Sequence, residues 1–90
     1  MTPEAIAKFV ETEKLADNKL MKFDFKKRNS IAGILIQGKD YEDLKAKNFW
    51  RIVTHANLTA WKKTNSLEFA KIYSGTDFNK ITVVDAKAVA

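Results

Sequence analysis

The chain opens on a helical pattern. Thr2-Pro3-Glu4 has the order of a helix start: a side chain that accepts from free amides, a proline suited to the first turn, then an acid at the positive end of the dipole. Ile6, Phe9 and Val10 follow at helical spacing, with Lys8, Glu11, Glu13 and Lys14 on the outer side. The pattern predicts a helix to about Ala16, with Asp17-Asn18 as its exit. The period then changes. In "LMKFDFKKR", Met21, Phe23 and Phe25 alternate with Lys22, Asp24 and Lys26, which predicts a strand with one apolar face. Asn29-Ser30 reads as a turn, and "IAGILIQG" as a strand covered on both faces, with Gly33 marking a bulge, bend or close approach. The two strands, 21–28 and 31–37, should form an antiparallel hairpin.

After Gly38-Lys39-Asp40, "YEDLKAK" reads as a polar turn or a single helical turn, and "NFWRIV" as a third strand. In that strand Trp50 and Ile52 share one face, while Phe49, Arg51 and Val53 share the other. Trp50 with Ile52 is the more apolar pair and should face the core, which leaves Phe49 and Arg51 outward. Asn57 is placed to cap a short helix containing Leu58 and Trp61. Asn65 and Glu68 stand at capping-box spacing. They suggest a further helix over 66–74, with Phe69, Ile72 and Tyr73 inward and Gly75 as its stop, although "LEFAKIY" also fits a strand. "FNKITVV" is the last strand, and the tail from Asp85 to Ala90 is expected to be mobile. Helix, three strands, one or two short helices and a final strand make an α+β fold: an N-terminal helix and a small, strongly bent antiparallel sheet, open to the reading of a partly open barrel. The expected organisation is one domain, 1–90, with the helix in 1–18, the sheet and short helices in 20–84 and the tail in 85–90.

Composition narrows the chemistry. The 90 residues include no cysteine, which removes disulfides, thiolate catalysis and thiolate-bound zinc and fits a reducing cytoplasm. No apolar run approaches the length of a membrane span, and the opening residues do not have the order of a signal peptide. Asn57-Leu58-Thr59 matches a glycosylation sequon, a coincidence for a protein expected in the cytoplasm. The one amphipathic helix is near neutral, so membrane-surface binding is not expected. Net charge is +5 and unevenly placed: residues 1–20 hold three lysines and four acids, residues 21–90 thirteen Lys/Arg and seven acids.

Two segments, Ile31-Ala32-Gly33-Ile34 and Ile72-Tyr73-Ser74-Gly75-Thr76-Asp77-Phe78, are similar to the glycine-bearing strands of the Sm and Hfq family. In that family an N-terminal helix precedes a strongly bent sheet closed into a small β-barrel. Its RNA-binding motifs do not map onto this chain residue by residue, so the resemblance assigns no site. The blocks "IAGILIQGKDYEDLKAKNFWRIV" and "LEFAKIYSGTDF" also resemble small basic proteins of unknown function from Bacteroidetes-type bacteria. That resemblance implies a soluble bacterial domain and no activity.

Catalysis has little to stand on. His55 is the single histidine, and no serine or threonine stands out as its nucleophile. Asp40, Glu42 and Asp43 cluster without the offsets of a calcium loop, and the isolated Gly33, Gly38 and Gly75 form no phosphate-binding motif. The expectation is a domain that is not an enzyme and has no cofactor or metal. Its first reading is a binding or adaptor domain for a protein partner or a second copy, with Tyr41, Phe49 and Trp61 as candidate anchors and the sheet edges open to pairing. The alternative is RNA or single-stranded DNA binding through a basic sheet face. The candidate contacts for nucleic acid or partner are Lys26, Lys27, Arg28, Arg51, Trp61, Lys62 and Lys63.

Overall fold

The computed structural model describes residues 1–16 and 18–89. Three α-helices and five strands follow one another in an α+β arrangement: α1 (Pro3–Thr12), β1 (Lys19–Phe25), β2 (Ile31–Leu35), α2 (Tyr41–Ala46), β3 (Phe49–Thr54), α3 (His55–Thr64), β4 (Lys71–Ser74) and β5 (Phe78–Asp85). Single 3-10 turns span Leu67–Phe69, Gly75–Asp77 and Ala86–Val89. The strands form one antiparallel sheet in the order β4-β3-β2-β1-β5. It is an open sheet. β4 and β5 are its two edges, yet only the turn Gly75–Asp77 separates them in the chain. A flat five-stranded sheet would hold its edges about 19 Å apart, so this short link requires the sheet to bend strongly. The Phe25 and Tyr73 rings, on β1 and β4, accordingly come within 5.7 Å.

The helix start forms as the sequence predicts: the Thr2 hydroxyl accepts from the Ala5 amide. The helix stops at Thr12, one turn before the expected Ala16. The Thr12 hydroxyl bonds back to the Lys8 carbonyl, and Glu13 turns to extended backbone. Of the expected exit, Asp17 lies outside the described residues. α1 lays Ile6, Ala7 and Val10 on the sheet, against Met21 and Phe23 of β1, Trp50 and Ile52 of β3, and Phe78 and Ile81 of β5. Phe23 packs 5.5 Å from Phe78. Both inward assignments therefore hold: the β1 phenylalanines turn toward α1, and so do Trp50 and Ile52. Leu20 and Val53, at the alternate positions, are buried as well, and α3 packs against β2 and β3.

Three boundaries differ from expectation. The first hairpin is shorter: β1 ends at Phe25, 26–28 bend away, and its pairing with β2 runs only from Met21 opposite Gly33 to Phe23 opposite Ile31. α3 begins at His55 directly from β3, not at Asn57, and ends at Asn65 in the left-handed region, φ 54°. The segment 66–74 is not a helix. Ser66 caps only the turn Leu67–Phe69, and Lys71–Ser74 is an edge strand on β3. Tyr73 then lies opposite Trp50 on the core side, so Ile72 points away from the core, contrary to expectation, and is 50% exposed. Residues 86–89 of the tail form a 3-10 turn whose Ala86 amide bonds to the Asn18 carbonyl; Ala90 lies outside the described residues.

Candidate binding surfaces

The predicted contact residues divide among three places. Lys26, Lys27 and Arg28 are exposed in the loop 26–30 between β1 and β2. Trp61, half-buried, and Lys62 and Lys63, exposed, end α3. The first turn of α3 lies beside Ser30 and Ile31, where His55 and Ala56 line a cleft with them. The helix rises about 1.5 Å per residue, so Lys62 and Lys63 lie roughly 10 Å farther along it. Arg51 stands apart from both groups. Its guanidinium donates to Asp40 at 2.6 Å, and its side chain is only 14% exposed. The expectation that Arg51 is free to meet a partner is corrected by that ion pair. One side chain just before α2 and another on β3 spend their charges on holding those elements together.

A second polar link joins α1 to α2. The Tyr41 hydroxyl donates to Glu11 at 2.7 Å and Lys45 to the same carboxylate at 3.3 Å. Tyr41 also meets Trp50 edge-on, ring centroids 6.0 Å apart. The Tyr41 hydroxyl, then Lys45, hold the Glu11 carboxyl below its ordinary value, and Arg51 does the same to Asp40. Burial, then the Glu11 carboxylate, push the Tyr41 phenol up, so it remains a donor throughout the neutral range. A carboxyl lower in the folded than the unfolded chain stabilises fully above its unfolded value, about 4. That stability is lost as pH falls through the folded value. The melting temperature should therefore hold from neutral pH to about 5 and drop below about 4. The effect is modest, because both carboxylates meet solvent. The double variant Glu11→Gln, Asp40→Asn should be less stable at neutral pH and show a shallower acid drop, checked by thermal melts across pH. An acid drop unchanged by the double substitution would assign it to other carboxylates.

An open cleft of about 370 Å³ lies where α3 begins; Lys22, Ser30, Thr54 and His55 line it. Its lining residues include no carboxylate to orient His55 as a base. Among the described residues, no three of His, Cys, Asp and Glu are grouped to hold a metal, and no helix is long and apolar enough to cross a membrane.

Two other surfaces have chemistry of their own. At the β4 edge, Phe49 (39% exposed) and Ile72 (50% exposed) are neighbours on the side away from α1, diagonal in the ladder where Phe49 opposes Ser74 and Arg51 opposes Ile72. Phe49 was legible as outward from the alternation in "FWRIV". Ile72 was not, because its segment fits helix and strand alike. The other surface is the loop 26–30, where the Arg28 guanidinium lies over the Phe25 ring at 5.0 Å and over Tyr73 at 5.7 Å. No protein-family model matches this chain, and no curated protein or solved structure matches it either.

Proposed function

We propose that this chain is a small binding domain, not an enzyme, that joins protein to protein through the open edge of β4, with a second copy of itself as the partner. The observation that carries the reading is the pair Phe49 and Ile72: two large exposed apolar side chains, diagonal across the ladder between β3 and the edge strand β4. An edge strand offers a row of unpaired backbone groups, and apolar side chains beside it add desolvation to backbone pairing. A second copy supplies the complementary element, because the same chain has a second open edge in β5, with Val83 39% exposed. β4 against β4 closes a dimer, and β4 against β5 continues into a ring or chain of copies. The lone His55, in a cleft with no carboxylate in its lining, supports the non-enzymatic side of the reading.

Light scattering over a concentration series reaching the millimolar range tests it. The wild-type chain should rise above monomer mass as concentration increases. Ile72→Lys should shift that rise to at least roughly fivefold higher concentration, since burying the remaining half of this side chain is worth about 1 kcal/mol. Phe49→Lys should act in the same direction. Each side chain is only in part exposed, so circular dichroism melts confirm that both variants are folded. A monomer at every concentration, or self-association indifferent to both substitutions, overturns the proposal.

Nucleic-acid binding through one basic sheet face has less support, because the predicted cations lie in three separate places and Arg51 is engaged by Asp40.

A further inference from the structure

We propose a second binding site at the loop 26–30, which takes the phosphodiester backbone of nucleic acid by charge, without reading bases. It goes beyond the protein-binding reading and lies on other residues. Lys26, Lys27 and Arg28 line a cavity of about 250 Å³ together with Phe25 and Asp77. Among the described residues these three cations form no ion pair, whereas Lys19, Lys22, Lys45, Arg51 and Lys80 each have an acid within 4.0 Å. Three consecutive unpaired cations around one cavity are complementary to a repeating anion.

The loop is also held in shape. The Lys26 amide donates to the Asp77 carbonyl at 2.9 Å, which ties its first residue to the turn Gly75–Asp77. Arg28 rests on the Phe25 and Tyr73 rings. A guanidinium placed over aromatic faces keeps its N–H edge available to an anion and loses little freedom on binding. The same placement decides what is recognised. Phe25 and Tyr73 pack against the core, and Arg28 covers them, so neither ring is open for a base to stack on. The site therefore offers charge and N–H donors, and sequence preference should be slight. Asp77 is the opposing charge in the lining, and removing it should tighten binding.

Fluorescence anisotropy with a labelled mixed-sequence single-stranded oligonucleotide tests the site. Three phosphate contacts on a single strand predict a log–log salt slope of about −2, so affinity should fall roughly 20-fold between 50 and 200 mM salt. Lys26→Gln with Lys27→Gln removes two contacts from exposed positions and leaves the Arg28 stack in place. The slope should shrink to about −0.7. Lys62→Gln with Lys63→Gln should leave it unchanged, and Asp77→Asn should raise affinity. Circular dichroism melts confirm that each variant is folded. The proposal is overturned by absence of salt-sensitive binding at low ionic strength. It is overturned equally by a slope that survives the Lys26/Lys27 substitutions, or by a polyglutamate peptide that competes as well as the oligonucleotide.

Discussion

Trp50→Ala should cost about 3–5 kcal/mol of folding stability, the range for emptying a large aromatic site in a packed interior. A chain of this length has roughly 5–13 kcal/mol in total, so the variant should sit near its unfolding threshold at 37 °C. Trp50 is 1% exposed and lies in the middle of the layer between α1 and the sheet, with Ile6, Phe23 and Ile52 in the same cluster. It is also the polar anchor of one corner. Its indole N–H donates to the Asn48 side-chain oxygen at 2.8 Å, and the Asn48 amide group donates in turn to the Met1 carbonyl. Asn48 itself stands in the left-handed region, φ 60°, and its carbonyl accepts from the Gly75 amide. Trp50→Phe retains most of the apolar volume and loses the hydrogen bond. It should cost about 1–3 kcal/mol, because Asn48 is left without its donor. Urea unfolding followed by circular dichroism separates the two, since Trp61 would confuse a fluorescence readout. A loss under about 1 kcal/mol for Trp50→Ala would contradict the packing described for this corner.

The inward side of Trp50 follows from alternation and from its more apolar pairing with Ile52, and that of Phe23 and Phe25 from alternation, because period-two patterning is a local property that survives into the fold. The start of α1 was legible for the same reason: Thr2, Pro3 and Glu4 act on amides within one turn. What could not be read depends on partners far along the chain. Arg51 finds Asp40 only because α2 packs back along β3, and no spacing rule pairs residues eleven apart across a loop and a helix. The 66–74 segment failed differently. The Asn65–Glu68 spacing is not used as a cap: Asn65 ends α3 and Ser66 caps a single 3-10 turn, after which pairing with β3 decides in favour of strand. That choice turned Ile72 outward and made the candidate edge. The basic loop was visible in the sequence as Lys26-Lys27-Arg28. Its stacking on Phe25 and Tyr73 was not, because it needs the bend that brings β1 and β4 together.

Gly33→Ala is expected to destabilise by about 1–3 kcal/mol or more, although a glycine-to-alanine change in permissive backbone stabilises by roughly 0.4–1 kcal/mol through the unfolded chain. The sign follows from what surrounds the position. Gly33 pairs with Met21 on one side and Thr54 on the other, inside the sheet. A methyl group there would collide with the Val53 carbonyl oxygen and stand 2.9 Å from the Val53 carbonyl carbon and Thr54 Cα. These are backbone atoms of the neighbouring strand, so no side chain can rotate aside, and β2 and β3 must separate. Gly38→Ala is the control. Its nearest atoms would be 3.7 and 3.9 Å away, on the Asp40 and Arg51 side chains, which is ordinary contact. Its urea midpoint should match or slightly exceed that of the wild type, while Gly33→Ala falls well below it. The consequence reaches the edges. In the ladder β4 is bonded to β3, and β3 to β2, so loosening the approach at Gly33 moves Phe49 and Ile72 together. Self-association should then weaken in any Gly33→Ala protein that remains folded, with both exposed side chains untouched. Equal stability of Gly33→Ala and Gly38→Ala would show that the tight β2–β3 approach is not a feature of the folded chain.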